Sequence, residues 1–191
     1  MNQTAQKAES APLVDETYYA AVTEAIRNEA ARLLQEGAVA AVIGYVAGRR
    51  AGTALPAVVT TPERAAELIF SPACRNNLSL YLTKAKQDAV PTGRLAIIVK
   101  GCDLRALAGL LGESQVKREN LHIIGIACAG VFAANADQSL PLSETTIAKK
   151  CRECTVQLPA EVDFTAGTLP TLPRLTPVEA EELARLEALT P

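Results

Sequence analysis

An unbroken apolar run, Leu95–Val99, and a second apolar, β-branched run, Leu121–Ala127, flank a short helical pattern, Leu104–Leu111, that Gly112 closes. Strand, helix and strand within about thirty-five residues make a βαβ unit. Its crossover is right-handed in nearly all known cases, so the two strands lie parallel. Apart from His122, both runs are apolar rather than alternating, as in strands buried on both faces. Aromatic residues make up only 4% of a chain that is 49% apolar. Its core must therefore be built of Ala, Val, Leu and Ile at close spacing, which helices packed on a parallel sheet allow.

The rest of the chain extends this unit. Its 191 residues suit one domain. Tyr18, Val22, Ile26, Leu33 and Leu34 recur at helical spacing between Thr17 and Glu36, and Gly37 ends the pattern. Ala38–Val46 reads as a buried strand and Ala57–Thr60 as a second. Thr61-Pro62-Glu63 is a helix start, and Ser71-Pro72 stops that helix near Phe70. A further helix is expected over Arg75–Lys86, loop over 129–142 and a short helix over Ser143–Ala148. Prolines punctuate an extended segment from Leu158 to Pro177, and Thr176-Pro177-Val178-Glu179 has the form of a capping box for a last helix. The expectation is an α/β fold, one three-layer-like domain over 17–157 with a parallel or mixed sheet. A flexible N-terminal arm, 1–16, precedes it, and a Pro-rich arm with a docking helix, 158–191, follows.

The five cysteines carry the chemistry. Cys102 follows one strand by a single glycine, and Cys128 follows the other directly. Parallel strands bring both thiols to the same carboxyl edge, where open α/β sheets hold their ligands. Cys102 lies at a helix amino terminus, which favours a thiolate or an anionic group, and Gly101 lets the backbone approach closely. Cys151 and Cys154 form a Cys-x-x-Cys pair that, folded back across this edge, completes a four-thiolate set. Cys74 is a fifth candidate, in or beside it. With one histidine in the chain, the soft ligand set is all thiolate, which favours an iron–sulfur cluster or zinc over magnesium or calcium. Lys100, Arg105, Lys149, Lys150 and Arg152 lie near the cysteines in sequence. Their charge would offset that of a cluster and raise its reduction potential.

Other readings stay open at this level. Four thiolates suit structural zinc, in which case the chain is a structural or assembly subunit. Cys74 and Cys128 also have a bland reading as small buried hydrophobes. A thiol enzyme with Cys102 as nucleophile is a third reading. A thioredoxin-like pair lacks its strand-to-helix setting. His122 opens an apolar strand and reads as structural, and Tyr18-Tyr19 as core packing. No Ser/His/Asp or paired-carboxylate constellation for hydrolysis is present. The net charge of −2 gives no reason to expect nucleic acid. No apolar run approaches a membrane span. Met1–Asp15 lacks an apolar signal core, so the chain is expected in the cytoplasm, where thiols stay reduced.

The segments Val-Lys-Gly-Cys-Asp-Leu-Arg-Ala-Leu (99–107), Val-Lys-Arg-Glu-Asn-Leu-His-Ile-Ile-Gly-Ile-Ala-Cys-Ala-Gly-Val (116–131) and Cys-Arg-Glu-Cys (151–154) resemble the amino-terminal part of the coenzyme F-420 hydrogenase/dehydrogenase beta-subunit family. Phe-Ser-Pro-Ala-Cys-Arg-Asn-Asn-Leu (70–78) is similar to the same family's cysteine-bearing segment. The resemblance implies an iron–sulfur, electron-transfer subunit of a multi-component oxidoreductase, such as a hydrogenase, formate dehydrogenase or heterodisulfide-reductase-like complex. It implies one cluster, expected to be 4Fe–4S, with Cys102, Cys128, Cys151 and Cys154 as ligands and Cys74 in a family cysteine position. Flavin is not carried over by it.

Overall fold

The computed structural model describes residues 11–83 and 90–178. Among them a five-stranded mixed sheet runs in the order β2-β1-β3-β4-β5. The strands are β1 (Ala41–Ala47), β2 (Ala54–Val59), β3 (Leu95–Val99), β4 (Leu121–Ile126) and β5 (Phe164–Ala166). β1 and β2 form an antiparallel hairpin edge, while β1, β3, β4 and β5 are mutually parallel. The helices are α1 (Glu16–Gln35), α2 (Gly101–Gly112) and α3 (Lys149–Arg152).

The apolar runs behave as expected. Ala96 to Val99 and all of β4 are buried. Because successive strand residues point to opposite faces, both faces of the sheet are covered. α1 begins where the Asp15 carboxylate accepts the Tyr18 N–H at 3.0 Å and ends before Gly37, at φ +65°. It buries Val22, Ile26, Ala30 and Leu33 in one stripe. The same stripe carries Glu29, whose Oε1 lies 3.0 Å from His122 Nε2 on β4. His122 is thus an inward-facing structural residue on the α1 side of the sheet. Tyr18 and Tyr19 pack edge to face at 5.1 Å, and Tyr19 also meets Phe70.

Several expectations change. The helix expected over Pro62–Phe70 is a short 3₁₀ turn, Glu63–Glu67. The helix expected over Arg75–Lys86 begins only at Leu78, again as a 3₁₀ turn to Leu82, and residues 84–89 lie outside the described residues. The Asn77 side chain accepts the Ser79 N–H at 2.9 Å and so starts the turn later than the sequence pattern suggests. Ser143–Ala148 is not helical. The Thr146 hydroxyl donates to the Pro141 carbonyl at 2.8 Å and accepts the Ser143 N–H at 2.8 Å, while Ile147 bridges to Phe132. These side-chain bonds offer the backbone an alternative to a helix. α2 starts a turn earlier than Leu104, so Cys102 lies in its first turn.

The Pro-rich segment contains β5, which the sequence pattern did not mark. β5 pairs with Ile124–Ile126, and just before it Asp163 ties the segment to β4. The Asp163 carboxylate accepts the Ile123 N–H at 2.7 Å and pairs with Arg118 at 2.8 Å. The expected last helix and residues 1–10 of the N-terminal arm lie outside the described residues. Leu13 is buried, and its N–H donates to the Leu142 carbonyl at 2.8 Å. No helix among the described residues is long and apolar enough to cross a membrane.

Candidate metal centre at the sheet edge

The parallel run of β3 and β4 delivers Cys102 and Cys128 to one edge. The long connection from β4 to β5 leaves that edge, forms α3 and returns across it, carrying Cys151 and Cys154. The return is fixed by backbone pairing. The Cys128 N–H donates to the Gln157 carbonyl at 2.8 Å, and the Ala148 N–H donates to the Val131 carbonyl at 2.8 Å. As a result Cys102, Cys128, Cys151 and Cys154 line one pocket. The cavity between them is narrow, about 20 Å³.

Cys74 does not line this pocket. It sits in a turn rather than opening a helix, fully buried in the core. Its sulfur accepts the Ser71 N–H at 3.4 Å and lies 3.9 Å from the Ile69 carbonyl. Burial pushes its thiol up to about 11. Of the five cationic neighbours named from the sequence, Lys100 and Lys150 line the pocket.

Two glycines let the walls close. A Cβ on Gly101 would stand 1.8 Å from the Val156 carbonyl oxygen. Gly130 adopts φ +122°, and a Cβ there would meet Ile147 at 2.6 Å and Cys151 at 3.4 Å. Gly130 and the buried hydroxyl of Tyr45 were not singled out by the sequence reading. The spacing Cys-Ala-Gly after β4 was the available signal for the first.

The thiols differ in environment. Burial pushes the Cys128 thiol up to about 12, against the opposing pull of the Gly130 N–H and Lys100. Burial also raises the Cys151 thiol, opposed by the Val131 N–H and Lys150. Cys102 is raised by desolvation and by Asp103, although it is exposed to solvent. Because the thiolate is the nucleophile, access then decides the order of reaction. In metal-free protein at neutral pH, Cys102 is expected to be alkylated first, and Cys74 and Cys128 at least about tenfold more slowly. Peptide mass mapping of a time course checks this. Early labelling of Cys128 would contradict its placement.

Among the described residues, no group of three or more His, Cys, Asp or Glu side chains is placed to hold a metal ion as the chain stands.

The fold and this edge define an α/β protein with a four-cysteine pocket where its parallel strands end. Over 99 residues, 51% of its length, the chain is 31% identical to the F420-dependent formate dehydrogenase 1 subunit beta of Methanococcus maripaludis. This supports the relationship to F420 hydrogenase/dehydrogenase beta subunits that the cysteine segments suggested. The chain spans about a quarter, 24%, of that relative's length. A solved structure of the F420-reducing [NiFe] hydrogenase complex from Methanosarcina barkeri, derivatised with xenon, is similar at TM-score 0.45 and 15% identity, over 60% of this chain and 38% of that one. No family model matches the chain.

Proposed function

We propose that this protein is an iron–sulfur electron-transfer subunit of an oxidoreductase complex, of the kind built around F420-dependent formate dehydrogenases and hydrogenases. The observation that carries this reading is the gathering of four thiols, from three separate stretches of chain, on the wall of one narrow pocket. Soft thiolate donors with two lysines beside them suit an anionic iron–sulfur centre. The similarity to a formate dehydrogenase beta subunit supports the same class of complex. In this reading Cys102, Cys128, Cys151 and Cys154 hold one 4Fe–4S cluster. When bound, the cluster supplies one-electron transfer.

The chain's own part is then to ligate, to exclude water and to fix charge. Cys128 is buried, so its side of the pocket is shielded from solvent. Cys102 is exposed, so its side is the face open to an electron-exchange partner. Gly101 and Gly130 keep the walls against the sulfurs. A zinc-thiolate assembly role is the competing outcome, and metal analysis separates the two.

Anaerobic iron, sulfide and zinc analysis of the purified protein tests this. About four irons and four sulfides per chain are expected, with a paramagnetic signal that appears reversibly on reduction. Cys151→Ser and Cys154→Ser are expected to lose most of the iron, and Cys74→Ser to keep it. Stoichiometric zinc in a colourless anaerobic preparation overturns the proposal.

A further inference from the structure

Ligation accounts for the four cysteines but not for the ion pair built beside them. Lys100 is 2% exposed and Asp103 is 3% exposed, and Lys100 Nζ lies 2.8 Å from Asp103 Oδ2. Burying two charges is costly, and an apolar pair of similar volume holds a core at least as well. This pair is nevertheless elaborately held. Nζ donates to the Tyr45 hydroxyl at 2.5 Å and to the Asn76 carbonyl at 3.0 Å. Tyr45, itself fully buried, donates to that same carbonyl. Asp103 also accepts the Lys100 backbone N–H at 3.2 Å, which locks the pair onto the start of α2. β1, α2 and the segment before Leu78 each contribute a group to fixing one ammonium.

The position of that ammonium gives it a use. Lys100 lines the sulfur pocket together with Cys102 and Cys128, whereas Lys150, the other lining cation, is exposed. Asp103 does not line the pocket, but its Oδ1 lies 3.8 Å from the Sγ of Cys102, which does. A buried charge is screened far less than an exposed one at similar distance.

Resting on the cluster reading above, we propose that Lys100 and Asp103 are a fixed charge pair that sets the reduction potential of the centre in this pocket. Lys100 raises the potential and Asp103 lowers it. Reduction adds one electron, supplied by the partner in the complex or by dithionite in a test. The added unit of negative charge is stabilised by the ammonium and opposed by the carboxylate. No bond forms or breaks in the protein. Tyr45 and the Asn76 carbonyl are positioning groups, acting only through Lys100. The Lys-Gly-Cys-Asp segment then reads as one device: charge, close approach, ligand and counter-charge.

The test is an anaerobic redox titration of the full chain carrying its centre, followed by visible absorption and electron paramagnetic resonance. Lys100→Gln is expected to lower the midpoint by at least a tenfold change in the reduced-to-oxidised ratio, about 59 mV for one electron. Asp103→Asn, which keeps the shape and the cap, is expected to raise it. Lys100→Arg should stay near the wild type, and Lys150→Gln should move it less than Lys100→Gln. Midpoints that do not move, or that move in the same direction in the two variants, overturn the proposal. If only one variant retains the centre, the sign of its shift decides. If neither does while Lys100→Arg does, the pair is structural and the proposal is again overturned. Wild-type protein that binds no iron and sulfide refutes the cluster reading instead, so the two failures are distinct.

Discussion

Gly101→Ala is expected to cost about 3 kcal/mol of stability in the metal-free protein and to pull the cysteine pocket apart. The added Cβ would lie 1.8 Å from the Val156 carbonyl oxygen and 2.8 Å from its carbon. Both are backbone atoms, so no rotamer change relieves the clash. α2 has little room to retreat, because the Lys100–Asp103 contacts pin its first turn. The segment at Val156 must move instead, and it carries Cys154 two residues before and the Gln157 carbonyl that receives the Cys128 N–H. Stability and site therefore fail together. Gly109→Ala in the same helix is the control. Nothing lies within 4 Å of a Cβ at that position, so alanine is expected to stabilise by up to about 1 kcal/mol. Urea unfolding of both variants checks the contrast, and an unchanged midpoint in Gly101→Ala would falsify the close approach of these two segments.

The legible parts of the fold are those whose pattern and tertiary role agree. Ala96–Val99 and Leu121–Ile126 are buried on both faces, and a nearly continuous apolar run is the direct mark of that. α1 carries an apolar stripe and a terminating glycine, and the two agree. From those elements alone, the meeting of Cys102 and Cys128 at one edge follows from the geometry of parallel strands. What failed was short and locally ambiguous. Thr61-Pro62-Glu63 marked the right start, but only a 3₁₀ turn follows before Leu68 turns extended and bridges to Val46. Phe164–Ala166 is a strand because Ile124–Ile126 pairs with it, and its own three residues state nothing. Cys74 was misplaced for a related reason. Pro72 and Asn77 set a turn there, so the expected helix start that would have presented its thiol is absent. The ion pair was illegible as a pair. Lysine and aspartate three apart in a helix start usually read as a solvated surface, and only the cover given by β1 and the Asn76 segment buries them.

Asp103→Ala in the metal-free protein is expected to cost about 3–5 kcal/mol, because it leaves the buried Lys100 ammonium without its counter-charge. The Tyr45 hydroxyl and the Asn76 carbonyl still accept from Nζ, yet neither supplies negative charge. Alanine also abandons the Lys100 backbone N–H at the helix start. The double variant Lys100→Met with Asp103→Leu should recover most of that loss, since apolar groups of similar volume remove both desolvation costs at once. Such a cycle separates two reasons for keeping the pair. If the double variant is as unstable as the single, the pair is there to hold the fold. If it regains stability but its centre no longer titrates at the wild-type potential, the fold is carrying a charge it does not need for folding. That charge lies beside the four sulfurs, where an electron would arrive. Equilibrium unfolding of the three metal-free proteins gives the first answer, and the redox titration of those that take up the centre gives the second.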